Sequence, residues 1–295
     1  MNRADYQPQE ILSAPLREVA QIWRLVLALV LIGVVSTLLS TVFLLSAVRL
    51  VPGAWAWQLA DGLNPVAMFL LLMSFSFMTL ATGMAARLLQ RRSLVSVLGD
   101  WPLFVFQFRR VLLGMFLLMG VVFLLPPYDM GEPLRPNLAF GDWLLLLPLS
   151  LLGVLIQTGA EEIVFRGYFQ QALAARFKSP LIWLLLPSVL FGLGHYMPAE
   201  AGENAWLICL WATVFGLLMA DLTARSGTLG PAIAVHFANN IVALLLIASP
   251  DSLNGLALYL SPYALSDTEH LRSWLLVDGV FLLVTWLVAR LAIRR

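Results

Sequence analysis

The sequence predicts an all-α bundle of transmembrane helices, with about eight spans and both termini cytoplasmic. Three observations predict it. Apolar side chains make up 60% of the 295 residues and charged ones only 12%, with a mean hydropathy of +0.87. A soluble domain carries roughly twice that charged fraction, about 25%. The apolar residues fall in separate runs, most of them near the ~20 residues a helix needs to cross a bilayer. Lysine and arginine gather between alternate runs, which is the pattern of a chain threaded back and forth through a membrane.

In order, the runs lie near Leu25–Val48, Pro65–Ala86, Val111–Leu125, Trp143–Ala160, Leu181–His195, Ala205–Ala220, Leu229–Ala248 and Ser273–Ile293. The third and fifth are short, and Phe104–Phe108 extend the third. The fourth runs on as a helical pattern to Phe177, too long for one crossing, so it must break or project, with Gly167 as the weak point. Thr228-Leu229-Gly230-Pro231 reads as a turn and helix start.

Fifteen basic residues lie on one side of this threading, from Arg3, Arg17 and Arg24 through Arg109, Arg110 and Lys178 to Arg295. Only Arg49, Arg135 and Arg272 lie on the other. Basic residues favour the cytoplasmic side, which places both ends there. The far loops are acidic instead, with Asp129, Glu132, Glu200, Glu203, Asp251, Asp267 and Glu269. Trp55, Trp57, Tyr128, Trp143, Tyr196, Trp206, Tyr263 and Trp274 sit near span ends and suit an interfacial aromatic belt.

The whole chain, 1–295, reads as one membrane domain with no linker, no soluble domain and no internal repeat. The single cysteine, Cys209, excludes an intrachain disulfide and a cysteine-based zinc site. The first apolar run exceeds the core of about 7–15 residues expected of a cleavable signal. A net charge of +1 gives no reason to expect nucleic acid as a partner. The bias to arginine points to a bacterial inner membrane. Oligomeric state leaves no mark in the sequence.

Three polar islands interrupt the apolar runs: Glu161-Glu162-x-x-x-Arg166, Phe191-x-x-x-His195 and His236-x-x-x-Asn240. Ionisable groups among lipid tails are costly, so such residues are functional candidates. Glu162 and Arg166 are four apart and share a helix face, the acid preceding the base in the favourable order. Glu161 points about 100° away. One glutamate is then a charged partner of Arg166, and its neighbour suits a general base. Gln157, one turn earlier, shares the face of Glu161. The structural alternative is a helix-end ion pair with the second glutamate in water.

His195 and Glu161 are equally distant, 17 residues, from Lys178 in the connection between their spans, so a helical hairpin brings them to similar depth. Phe191 shares the face of His195 and forms a wall. Gly192 and Gly194 allow close helix approach. The structural alternative for His195 is a helix-end hydrogen bond. His236 and Asn240 make an inward-facing polar pair deep in the seventh run, with an interhelical hydrogen-bond pair as the alternative. His270 lies in a polar far-side loop and reads as solvated.

Taken together, these motifs resemble the CPBP family of intramembrane peptidases, which includes the type II CAAX prenyl endopeptidases and Abi proteins. The family pattern, E-E-x-x-x-R then F-x-x-x-H then H-x-x-x-N, is intact here, and the flanking residues Ala160 to Tyr168, Phe191 to His195 and Ser226 to Leu229 match as well. The resemblance covers a core of roughly 143–248. It implies an endopeptidase acting on a membrane-associated substrate, with Glu161 as the base, Arg166 a partner of Glu162, and His195, His236 and Asn240 placing water or the oxyanion.

Two chemistries are open. Zinc would take His195, His236 and Glu161 as its three protein ligands. Without metal, Glu161 deprotonates water while the histidines and Asn240 hold the developing charge. Two other functions compete. One is a non-catalytic relative serving as scaffold or bacteriocin-immunity factor. The other is a proton-coupled transporter, which calls for broken helices and an inverted repeat that the sequence does not display.

Overall fold

The computed structural model describes residues 6–50, 61–126 and 131–294. Arg3, Trp55, Trp57, Tyr128, Asp129 and Arg295 lie outside them. The fold is the expected all-α polytopic bundle. Six helices are long and apolar enough to cross a membrane, and two shorter apolar ones complete the set of eight runs.

Local chemistry explains where the helices begin. A short α1 (Gln7–Ser13) precedes α2 (Ile22–Val48). The α3 helix (Pro65–Leu89) opens with Asn64 accepting the Ala67 N–H at 2.9 Å and proline at its first position. After α4 (Leu94–Val97), α5 (Trp101–Phe123) repeats the device, with Asp100 accepting from Leu103 N–H and Pro102 following. It starts ten residues before the predicted run.

The α6 helix (Phe140–Glu162) continues without a break through a π-helical stretch, Ile163–Gln170, into α7 (Gln171–Arg176). Here the expectation of a weak point at Gly167 needs correcting. The helix widens instead of breaking. A Cβ on Gly167 would lie 2.3 Å from Val97 Cγ1, so glycine serves close packing. Arg92, from the loop before α4, donates to the Gly167 carbonyl and to Gln171 Oε1, binding that loop to the widened stretch. Burial lowers the pKa of Arg92 to about 10.

Next come α8 (Pro180–Leu193), α9 (Pro198–Ala201), α10 (Ala205–Ser226), α11 (Gly230–Ile241) and α12 (His270–Ile293). Gly227 ends α10 in the left-handed region, φ 74°, the usual terminator. A second π-helical turn, Val242–Leu246, closes α11. The principal pairings are α2 on α3, α3 on α6, α8 on α10, and α11 and α12 on α5.

Alternate helix ends meet on one face. Arg24 donates to the Leu89 carbonyl at 2.7 Å, joining the start of α2 to the end of α3. The Leu229 N–H donates to the Leu98 carbonyl at 3.1 Å, joining the α10–α11 turn to the segment before α5. This is the basic face anticipated from the arginine pattern. On the opposite face three two-residue strands, β1 (Arg135–Pro136), β2 (Ile247–Ala248) and β3 (Tyr259–Leu260), form a small sheet in the order β1-β3-β2. His270 is not a free loop residue. It begins α12, half-buried, and stacks on Tyr263 with ring centroids 4.0 Å apart.

Two features went unread in the sequence. One is α1, whose Gln9 is buried and bonds to Gln170 of the widened stretch. The other is a polar knot on the basic side. Asp221 accepts from the Tyr6 hydroxyl (2.7 Å), the Trp286 indole (3.0 Å) and Arg225 Nε (2.9 Å), joining α1, α10 and α12.

Candidate active site

The three islands converge unevenly. Glu161 and Glu162 end α6, Arg166 lies in the π-helical stretch, and His236 is six residues into α11. At about 1.5 Å per residue, His236 lies roughly 9 Å from the basic end of its helix. Glu162 and Arg166 are fully buried, His236 is 3% exposed and Glu161 8%.

Arg166 Nη1 donates to Glu162 Oε1 at 2.9 Å, the pair foreseen from the i, i+4 spacing. The same Glu162 oxygen lies 2.8 Å from His236 Nδ1. The other ring nitrogen, Nε2, lies 3.4 Å from Glu161 Oε2. The expectation that Glu161 faces away from its neighbour therefore needs refining. Both carboxylates reach one imidazole, one at each nitrogen. A ring whose Nδ1–H donates to Glu162 Oε1 satisfies that contact and turns Nε2 toward Glu161.

Aromatic rings wall this cluster. The Phe191 ring lies 4.6 Å beneath the Arg166 guanidinium, 5.9 Å from the His236 ring and 4.5 Å from the His195 ring. Phe215 closes the other side, 4.9 Å from His236. Gly216 leaves space for the guanidinium, since a Cβ there would sit 3.0 Å from Arg166 Nη2. Glu161 Oε2, Glu162 Oε2, Arg166 Nε and Arg166 Nη2 are buried without a hydrogen-bond partner. Buried polar atoms of this kind are rare, and each calls for a partner such as a water, an ion or a substrate group.

Asn240 joins through Gln157. Its Nδ2 donates to Gln157 Oε1 at 2.8 Å, linking α11 to the turn of α6 just before Glu161. Asn239 donates to Asn240 Oδ1 at 3.2 Å. His195 stands further out. It lies past the end of α8, half-buried, and its Nδ1 bonds to the Phe191 carbonyl at 2.9 Å. Among the described residues no hydrogen bond or ion pair joins it to Glu161, Glu162, His236 or Asn240; Phe191 is the link.

This arrangement bears on a metal. Glu161 Oε2 and His236 Nε2 are separated by about what two ~2.1 Å bonds to one tetrahedral ion would span. The third expected donor, His195, is not with them. Among the described residues no three His, Cys, Asp or Glu side chains come close enough together to hold a metal ion. Asn240 is a poor zinc ligand, so the donor set does not fit a catalytic zinc with three protein ligands.

Comparison with known proteins picks out the part of the chain that holds these residues. The model of a family described as Rce1-like, type II CAAX prenyl endopeptidase, matches residues 143–242, about a third of the chain. Residues 143–242 are therefore similar to that family over the stretch that carries the three polar islands. All six candidate residues, Glu161, Glu162, Arg166, His195, His236 and Asn240, fall inside the match, whereas α5 and α12 fall outside it. The family is one of proteases, and the apolar helices make this an integral membrane protein. An uncharacterized Bacillus subtilis protein, YyaK, is 32% identical over 162 residues, covering 53% of this chain and 51% of the relative. The match thus spans about half the length of that relative. No solved structure matches.

Sequence reasoning passed over Gln157 as more than an accessory, and it missed the intramembrane carboxylates Asp221 and Asp278 altogether. Asp221 carried a signal, an i, i+4 pairing with Arg225 inside an apolar run. Asp278 carried one too, as an acid in the middle of the last span.

Proposed function

We propose that this protein is a glutamate-dependent intramembrane endopeptidase, hydrolysing a peptide bond in a membrane-associated protein or peptide. C-a-a-X-type prenylated chains are the substrate class named in the family description. The observation that supports this reading best is His236 held between Glu162 and Glu161.

The roles follow from hydrogen-bond chemistry. Arg166 keeps Glu162 charged, Glu162 takes the Nδ1–H of His236, and the Nε2 lone pair is left facing Glu161. A water lying against these two acceptors donates one hydrogen to each. Glu161 takes a proton as the water oxygen attacks the scissile carbonyl carbon. The Asn240 amide, one hydrogen committed to Gln157, offers the other to the oxyanion. The C–N bond then breaks as Glu161 returns its proton to the leaving nitrogen. Two carboxylates against one guanidinium leave the cluster one positive charge short, which suits a site that accepts and returns a single proton. The basic face lies in the cytoplasm in this reading, and the membrane is a bacterial inner membrane.

The test uses purified protein in nanodiscs with a panel of prenylated and unprenylated membrane peptides. Glu161→Gln lowers turnover by about 100-fold or more without a shift in thermal stability. Chelation of divalent metal leaves the wild-type rate unchanged. Unaltered turnover in the variant would overturn the assigned base, and loss of the rate on chelation would overturn the metal-free route.

A further inference from the structure

A cavity of about 350 Å³ lies between α5, α10, α11 and α12, its walls including Met115, Met119, Trp211, Phe215, Asn239 and Asp278. Because α5 and α12 fall outside residues 143–242, the region matched by the family contributes only part of this chamber. Two walls are shared with the glutamate–histidine cluster. Phe215 packs its ring 4.9 Å from that of His236, and Asn239 donates to Asn240 at 3.2 Å. A group seated in the cavity is one side chain away from the atoms assigned to hydrolysis.

Asp278 is the unusual wall, an exposed residue that lines one side of the cavity and is not enclosed by the protein. It lies eight residues into α12, about 12 Å along the helix, in the run Val277-Asp278-Gly279-Val280-Phe281. Among the described residues no hydrogen bond, ion pair or charged neighbour reaches it. A carboxylate at that depth is costly unless something pairs with it. Met115 and Met119 give the remaining wall an adaptable apolar lining that suits an unbranched aliphatic stem.

We infer that this cavity is a substrate subsite, built to receive a lysine or arginine side chain of the membrane peptide, its stem along the methionines and its cationic end at Asp278. The inference rests on the peptidase reading above. Charge complementarity selects the occupant. An alkyl tail would fill the apolar walls but leave Asp278 without a counter-charge, whereas a basic side chain supplies it.

The experiment uses short lipidated peptides, identical except that one position, moved along the segment, carries Lys, norleucine or Glu. Binding is read by fluorescence anisotropy on full-length protein in nanodiscs carrying Glu161→Gln, so that peptide is not consumed. Cleavage is read in parallel on protein that retains Glu161. At one position the Lys peptide binds at least about tenfold tighter than its norleucine twin. Adding Asp278→Asn abolishes that preference, and Asp278→Lys makes the Glu peptide the tighter ligand, both with unchanged thermal stability. Equal binding of Lys and norleucine at every position, or a preference that survives Asp278→Asn, overturns the subsite. Intact Lys preference with no cleavage of any peptide overturns the peptidase reading instead, and leaves the cation selectivity standing.

Discussion

Glu162 is the residue on which the polar centre turns, because one of its oxygens serves both Arg166 and His236. Removing the guanidinium alone leaves a buried carboxylate without its counter-charge. Breaking a buried pair in this way costs about 3–5 kcal/mol, whereas removing both charges together costs far less. Arg166→Met therefore lowers thermal stability markedly, and the double variant Arg166→Met with Glu162→Gln recovers most of the loss. A double variant no more stable than the single one would show that Arg166 matters through packing on Phe191 and not through charge. At this scale the sequence was legible for pairs within one helix. Glu162–Arg166 followed from spacing, as did the shared face of His236 and Asn240. The grip of both glutamates on one imidazole was not legible, because it depends on how α6 and α11 are rotated against each other, and no local pattern encodes that.

Helix packing explains the next level. Where α8 crosses α10, a Cβ on Gly192 would lie 2.0 Å from Thr213 Oγ1 and 2.6 Å from the Cys209 carbonyl oxygen, so only glycine allows this approach. Gly194 meets nothing but carbonyls of its own helix. Gly192→Ala is expected to destabilise by about 1–3 kcal/mol and to displace His195, while Gly194→Ala is tolerated. Thermal unfolding of the two variants checks this; equal effects would contradict the crossing. At the start of α12, the backbone N–H of His270 holds the Asp267 carboxyl below its usual range, helped by the His270 ring. A lowered carboxylate stabilises above its ordinary pKa, and that contribution fades as the pH falls through the lowered value. Amide exchange at the first turn of α12 is therefore expected to quicken relative to the rest of the helix only below about pH 4. The eight apolar runs were readable as elements because hydropathy alone defines them. The π-helical widening at Ile163–Gln170 was not; its contacts, Val97 of α4 against Gly167 and Arg92 on the Gly167 carbonyl, come from a part of the chain some 70 residues earlier.

For the molecule as a whole, orientation rests on the asymmetry of basic residues. In a Cys209→Ala background, Glu200→Cys is expected to react with a membrane-impermeant maleimide in intact cells, and Lys178→Cys only after permeabilisation. The opposite result would invert the bundle and put the glutamate–histidine cluster near the outer surface. The all-α class and the polytopic threading were legible from composition. The covering sheet was not, because its strands are two residues each and owe their pairing to chain segments far apart. Nor was the Asp221 knot, which needs Tyr6 and Trp286 from opposite ends of the sequence.

His236 and Glu162 are 74 positions apart, with two apolar helices, α8 and α10, threaded between them. During synthesis the acids are made long before the imidazole that they hold. A ribosome stalled short of Gly230 releases a product with Glu161, Glu162 and Arg166 in place and no ring between the carboxylates. On the proposed reading, a nascent chain that has not yet reached His236 would be inert toward its neighbours in the bilayer.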